Sequence, residues 1–233
     1  MEEKEEIIVI EKKVRKITVK NLFKNVLDSL DLEKGLLFSV YSFVRHPGKA
    51  FHGYLHQDRF KHANPFKLAL FATAIVVFLS LQFGLVENIS KGFAESSGSE
   101  KLSQGEEAQI FTSLLKDYYN VFLLASVPIL ALTSFLFYKG IGYNYAEHLV
   151  LNTFLYTIIT LLYIPLIFLT PFWSTAVYLL LSLSYQIWCY KSCFGKSVFR
   201  AFATALLGYF IYIIIAILFG GIIVGGMISA SNG

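Results

Sequence analysis

Polar residues recur at every fourth position in one otherwise apolar stretch: Asn144, His148, Asn152, Tyr156 and Thr160. On a helix this spacing draws a slowly winding stripe, with Glu147 beside its start. An imidazole, carboxamides and hydroxyls aligned in this way can pass a proton or a polar solute. At membrane depth such groups face a bundle interior or a water path. They can equally bond neighbouring helices together, and Gln186 is the natural partner from a later segment. Both roles are open for Asn144, Glu147, His148, Asn152, Tyr156 and Gln186.

A second concentration of chemistry lies in "VRHPGKAFHGYLHQDRFKHANPF", residues 44–66, which holds four of the five histidines. His52 and His56 share one helical face at a zinc-chelating spacing that Asp58 or His62 would complete. No H-E-x-x-H pattern accompanies them, and imidazoles beside lipid headgroups need no metal. A protonation-dependent headgroup contact is the alternative, because a free imidazole gains its charge near pH ~6.5. Cys189 and Cys193 resemble half a metal site without a second pair, and packing is their expected role. No metal or other cofactor is assigned.

Enzyme signatures are scarce. There is no G-x-S-x-G and no pair of intramembrane aspartates. Gly195-Lys196-Ser197 ends like a phosphate loop, but Tyr190 stands where the first glycine belongs. Glu147 is the only acidic residue after Lys139, so two-carboxylate chemistry has no material in this half, and no enzymatic activity is expected.

The elements that must position these residues follow from composition. Hydrophobic residues make up 55% of the 233-residue chain and charged residues only 15%, with a mean hydropathy of +0.58. That is too apolar for an ordinary soluble domain. No charge falls between residues 149 and 190, and none after Arg200. The fold class is an all-α, polytopic membrane protein with five spans at about 66–85, 121–138, 149–169, 172–190 and 202–227. Length and the lack of alternation argue for helices over barrel strands. Between the third and fourth spans both Pro165 and Pro171 offer a break, and a turn at Thr170 and Pro171 is favoured, with Trp173 at the interface. Gly221-x-x-x-Gly225 in the fifth span allows close helix approach, within the chain or to a second copy.

Placing the N-terminus inside leaves only Lys91, Lys101 and Lys116 of the 20 Lys and Arg outside. The loop at about 86–120 and the C-terminus are then external. The opening "MEEKEE" is acidic and "IIVI" is too short for a signal-peptide core, so insertion through the first span is expected.

Residues 1–65 read as a cytoplasmic, basic, amphipathic-helix region, and 66–233 as the membrane domain. From Lys12 to Lys67 the only acidic residues are Asp28, Asp31, Glu33 and Asp58. Anionic headgroups hold such a segment at about 1 kcal/mol per well-placed cation. Leu22, Phe23, Val26, Leu27 and Leu30 form one helical stripe, and Leu36, Leu37, Val40, Tyr41 and Val44 another. Such helices either lie on the membrane or pack under the bundle. Pro47 ends the second helix and opens a third, and Asn64-Pro65 caps and starts the first span. The result is a membrane-entry elbow whose Arg45, Lys49, Arg59, Lys61 and Lys67 are the expected contacts for lipid phosphates or a partner. The aromatic pattern of a nucleic-acid module is absent, so none is expected to bind.

The run from Leu30 to Phe71 resembles the bacterial membrane proteins grouped as domain of unknown function thirty-six sixty-seven. The resemblance rests on Asp31, Gly35, Arg45, Pro47, Gly48, Tyr54, Leu55, Arg59, Asn64 and Pro65. Gln57-Asp58 departs from that family's Gly-Lys, and with no cysteine before Cys189 its four-cysteine zinc ribbon is missing. The resemblance implies a multi-span inner-membrane protein and brings no established activity. The expected function is a non-enzymatic scaffold or interaction protein engaging membrane lipids, a membrane-protein partner or a second copy of itself. A small transporter or channel component is the alternative.

Overall fold

The computed structural model describes residues 35–57, 59–86, 106–169 and 171–231, and every regular element in them is helical. Gly35 opens the described chain at φ 100, a conformation that disfavours side chains, and a Cβ there would lie 2.3 Å from the Lys61 carbonyl oxygen. Helix α1, Leu36–Arg45, stops at His46 because Pro47 disfavours helical geometry in the residue before it. Pro47 then supplies the first turn of α2, Pro47–His56. A single 3-10 turn, Arg59–Lys61, leads to Asn64. The Asn64 side chain accepts the Phe66 and Lys67 amides at 3.0 and 3.3 Å, capping α3, Pro65–Gln82.

The remaining helices are long: α4, Glu106–Phe137; α5, Tyr145–Tyr163, extended by a 3-10 segment at Ile164–Phe168; α6, Pro171–Phe194; and α7, Val198–Ser231. The break expected at Thr170 and Pro171 matches the start of α6, while Pro165 sits in the 3-10 segment instead. One boundary is corrected. Residues 106–120, expected within the external loop, form the first turns of α4. Hydropathy marks where apolar surface begins, whereas a helix continues through charged residues as long as its backbone bonds close.

Helix directions follow from side-chain pairs. Thr73 meets Tyr156 at 2.7 Å and Phe83 meets Phe168 at 5.2 Å between ring centres, so α3 and α5 run parallel. Tyr178 lies beside Tyr163 and Phe194 stacks on His148, each at 4.9 Å, so α6 runs back along the whole of α5. On α7, Gly208 faces Leu130 and the Tyr212 hydroxyl donates to the Phe122 carbonyl, so α7 is antiparallel to α4. A Cβ on Gly208 would fall 2.6 Å from Leu130, so among the described residues Gly208 is a point of close approach between these helices. Gly221 and Gly225 lie in the far part of α7, where side chains are outside the described residues.

Helix α5 is central, with Leu151 through Thr160 all buried. Among the described residues four helices are long and apolar enough to cross a membrane: Arg59–Gln82, Lys116–Phe137, Tyr145–Phe168 and Val198–Leu218. The fourth expected span, α6, has 24 residues but is not in that set, because Ser182, Ser184, Gln186, Tyr190 and Lys191 dilute its apolar content. Ser182, Gln186 and Tyr190 are buried against the bundle, while Leu179, Leu180, Leu181 and Trp188 face outward. Its glutamine and two of its polar hydroxyls are thus turned inward, while Ser184 and Lys191 are exposed.

Helices α1 and α2 pack under the bundle. Phe43 and Phe51 are fully buried, and Phe43 stacks on Phe154 at 4.1 Å. The stripe expected on α1 divides. Ser39 and Phe43 point inward with Leu36 and Val40 partly covered, while Leu37, Tyr41 and Val44 face out. Helix α1 is apolar on several sides, so periodicity alone did not choose the buried face. The earlier stripe at residues 22–30 lies outside the described residues.

Gly48 is the closest joint: a Cβ there would lie 2.4 Å from the Ser192 carbonyl oxygen. Gly48→Ala is expected to destabilise the protein by roughly 1–3 kcal/mol through overpacking. Gly53→Ala, on the same helix with open space around it, should be neutral or stabilising by up to about 1 kcal/mol. Thermal unfolding of the two variants in one detergent checks the contrast.

Candidate functional site

Asn152 is the hub of a buried polar cluster. Its Nδ2 donates to Ser134 Oγ at 3.0 Å on α4 and to the His148 carbonyl at 2.8 Å on its own helix. Its Oδ1 accepts the Tyr190 hydroxyl at 2.6 Å from α6. Tyr190 in turn accepts from Gln186 Nε2 at 3.1 Å, one turn earlier on α6. Three helices therefore share one side chain.

The proton inventory fixes the imidazole. Ser134 has one hydroxyl proton, which it donates to the Ala131 carbonyl at 3.0 Å. Its oxygen already accepts from Asn152, and with that proton committed, the 3.0 Å contact to His148 Nδ1 is best made by an Nδ1–H donor. His148 Nε2 is then an acceptor lone pair, and neither it nor Gln186 Oε1 has a hydrogen-bond partner among the described residues. The ring is held by stacking on Phe194 at 4.9 Å and by the edge of Phe135 at 5.8 Å.

The expected stripe is thereby partitioned. Asn144 and Glu147 form a capping box at the start of α5: Asn144 Oδ1 accepts the Glu147 amide at 3.0 Å and Glu147 Oε2 accepts the Asn144 amide at 2.8 Å. His148, Asn152 and Gln186 join the buried cluster. Tyr156 instead bonds Thr73 on α3, which donates to the Ala69 carbonyl, and Thr160 is buried further along. Sequence reasoning missed Ser134 and Tyr190. The one available signal was Tyr190 lying four residues beyond Gln186, on the same helix face.

The elbow is the second site. The Ser39 hydroxyl oxygen accepts the Ala63 amide at 2.8 Å, the Tyr185 hydroxyl donates to the Phe43 carbonyl at 3.0 Å, and the Gly48 amide donates to Ser192 Oγ at 3.2 Å. His52 Nδ1 meets the Tyr143 hydroxyl at 2.9 Å, and His62 Nδ1 lies 3.3 Å from Ser39 Oγ. His52 and His62 are thus separate fittings in the joint and not a shared chelate, while His56 is exposed and Asp58 is outside the described residues. Cys189 and Cys193 are free and buried with their sulfurs 3.9 Å apart, packed in the core beneath the elbow.

Arg45, Lys49, Arg59, Lys61 and Lys67 are all exposed on this elbow. Arg45 donates to the Tyr41 hydroxyl at 3.0 Å, and Arg59 lies 5.3 Å from the centre of the Tyr54 ring. Burial pushes the Tyr54 phenol above its ordinary pKa, and Arg59 pulls it partway back, so the ring stays neutral beneath the cation. Phe60, between Arg59 and Lys61, is 98% exposed. The helix directions put every described Lys and Arg except Lys116 at this end of the bundle.

Ser134→Ala would leave the His148 and Asn152 donors unpaired, and Tyr190→Phe would strip Asn152 Oδ1 of its donor. Each should cost roughly 1–3 kcal/mol in detergent unfolding. In the double variant the losses should fall short of additive by at least about 0.5 kcal/mol, because both act through Asn152. Full additivity would show that the cluster does not act as a unit. Family models, curated proteins and solved structures were each searched, and none matches this chain.

Proposed function

We propose that this chain is a multi-pass protein of the cytoplasmic membrane, acting as a non-enzymatic scaffold whose elbow grips anionic lipid headgroups on the cytoplasmic face. The observation that carries the reading is the elbow itself: a platform packed onto the bundle that presents exposed cations around a 98% exposed Phe60. An aromatic ring with a cation on each side suits the headgroup boundary, where the ring enters the acyl region and the charges meet phosphate. The concentration of described cations at this end supports a cytoplasmic placement by the positive-inside rule. Because α6 runs alongside α5 for its full length, five crossings with the N-terminus inside fit both the packing and the charge. The resemblance of residues 30–71 to an uncharacterised inner-membrane family is consistent with this placement.

Of the two roles expected for the polar stripe, interhelical bonding is the one supported by its geometry. Asn152, Ser134, Tyr190 and Gln186 each donate to a partner within the protein.

The test titrates the purified full-length protein with short-chain phosphatidylglycerol or phosphatidylcholine in a zwitterionic detergent and counts bound lipid by native mass spectrometry. Phosphatidylglycerol should bind preferentially. The Arg45→Ala, Lys49→Ala, Arg59→Ala variant should lose about tenfold or more in affinity, given about 1 kcal/mol per cation. The preference should also shrink as salt is raised, since exposed charges are screened. Equal binding of both lipids, or an unaffected triple variant, would refute the reading.

A further inference from the structure

The elbow is not the only place where an exposed aromatic side chain stands between cations. Helix α6 ends at Gly195, whose φ of 61 lies in the left-handed region and whose amide bonds the Lys191 carbonyl at 3.0 Å. Two residues later Ser197 Oγ accepts the Arg200 amide at 3.3 Å and starts α7. Between these two fixed points the turn has little freedom. It presents Lys196, Val198, Phe199 and Arg200, all exposed, with Phe199 at 79%.

This turn lies at the same end of the bundle as the elbow: Phe135 meets Tyr145 while Val127 packs with Tyr156, so α5, and α3 parallel to it, run antiparallel to α4, as α7 does. It lies on a different flank: α3 packs on α4 and α5, whereas α7 packs on α4 and α6. The order of residue types is also shared, with Arg59-Phe60-Lys61 ahead of α3 and Lys196 to Arg200 with Phe199 inside it at the start of α7. Lys191 and Lys139 add exposed charge at this end. A side chain such as Phe199 has no reason to face water beside a membrane span, and cations on both sides of it match phosphate better than an apolar protein surface.

We infer that the α6–α7 turn is a second binding site for anionic phospholipid headgroups, with Phe199 inserted at the acyl boundary and Lys196 and Arg200 on phosphate. This inference rests on the reading of the elbow as a headgroup contact. Together the two sites would brace the bundle against one leaflet from two flanks and fix its depth. The occupant is a lipid because the exposed surface is continuous with the outward face of α7, where Phe202, Leu206 and Phe210 are exposed.

The experiment uses the full chain and the phosphatidylglycerol titration in four forms: wild type, the elbow triple variant, Lys196→Ala with Arg200→Ala, and Lys196→Arg with Arg200→Lys. If the turn holds lipid, the alanine pair loses at least one bound phosphatidylglycerol or weakens one binding step about tenfold, taking about 1 kcal/mol per cation. The charge-conserving pair should bind as wild type, which separates charge from folding. An alanine pair that binds as wild type while the elbow variant loses lipid overturns the turn site alone. Loss only in the alanine pair upholds the turn and overturns the elbow, and no loss in either overturns both. Insertion has its own readout: Phe199→Trp, with Trp173→Phe and Trp188→Phe, should be quenched by lipid brominated near the headgroup end of its chains. Absence of quenching there would refute the inserted ring.

Discussion

A carboxamide buried among apolar helices must find partners for its donors and its acceptor, and the architecture turns on how Asn152 does so. Its amide protons reach α4 and its own backbone, and its oxygen takes the Tyr190 hydroxyl from α6. Lipid offers no competing hydrogen bond, so rotating α4 or α6 about its axis would strand several polar groups at once. Apolar packing between helices tolerates sliding, because lipid tails are as apolar as leucine. The Asn152 cluster does not, and it sets the register in which Phe194 meets His148.

That register also builds the floor on which the elbow rests. Phe154 lies on α5 half a turn from Asn152 and receives Phe43, while Ser192 and Tyr185 flank Tyr190 on α6 and receive Gly48 and the Phe43 carbonyl. The same two helices that share the polar hub therefore hold α1 and α2. The elbow is joined to these two helices by the stacked Phe43 and Phe154 rings and two hydrogen bonds of ordinary length.

Helix α6 shows how polarity is accommodated within such a bundle. It is less apolar than its neighbours, yet Ser182, Gln186 and Tyr190 turn inward while Leu179, Leu180 and Leu181 face outward. Ser182 donates to the Leu179 carbonyl and Gln186 to Tyr190 within α6, and Tyr190 passes the chain on to Asn152 of α5, so their desolvation is offset by hydrogen bonding. Among the described residues, the His148 Nε2 and Gln186 Oε1 acceptors of this cluster lack partners. Unpaired acceptors are less costly than unpaired donors, which is consistent with their persistence here.

Much of the fold was written in local sequence. The Pro47 break, the Asn64 cap and the start of α6 at Pro171 depend on residues within a turn of one another, so the chain declares them without reference to its fold; the capping box at Asn144 is as local, but Asn144 and Glu147 read equally as the start of the polar stripe. Hydropathy likewise declared the apolar helices, because burial in lipid is a property of each segment alone. What the sequence could not declare was partnership. A four-residue polar spacing names a helix face but not what lies across from it, so nothing marked Ser134, only its spacing from Gln186 hinted at Tyr190, and Tyr156 proved to belong with Thr73. Helix α1 offered apolar residues in several directions, and only contact with Phe154 decided that Phe43 would be buried and Tyr41 left outside. Helix ends and apolar length are set by short-range sterics and solvation, whereas the choice of partner among chemically similar faces is made by packing between segments far apart in the chain.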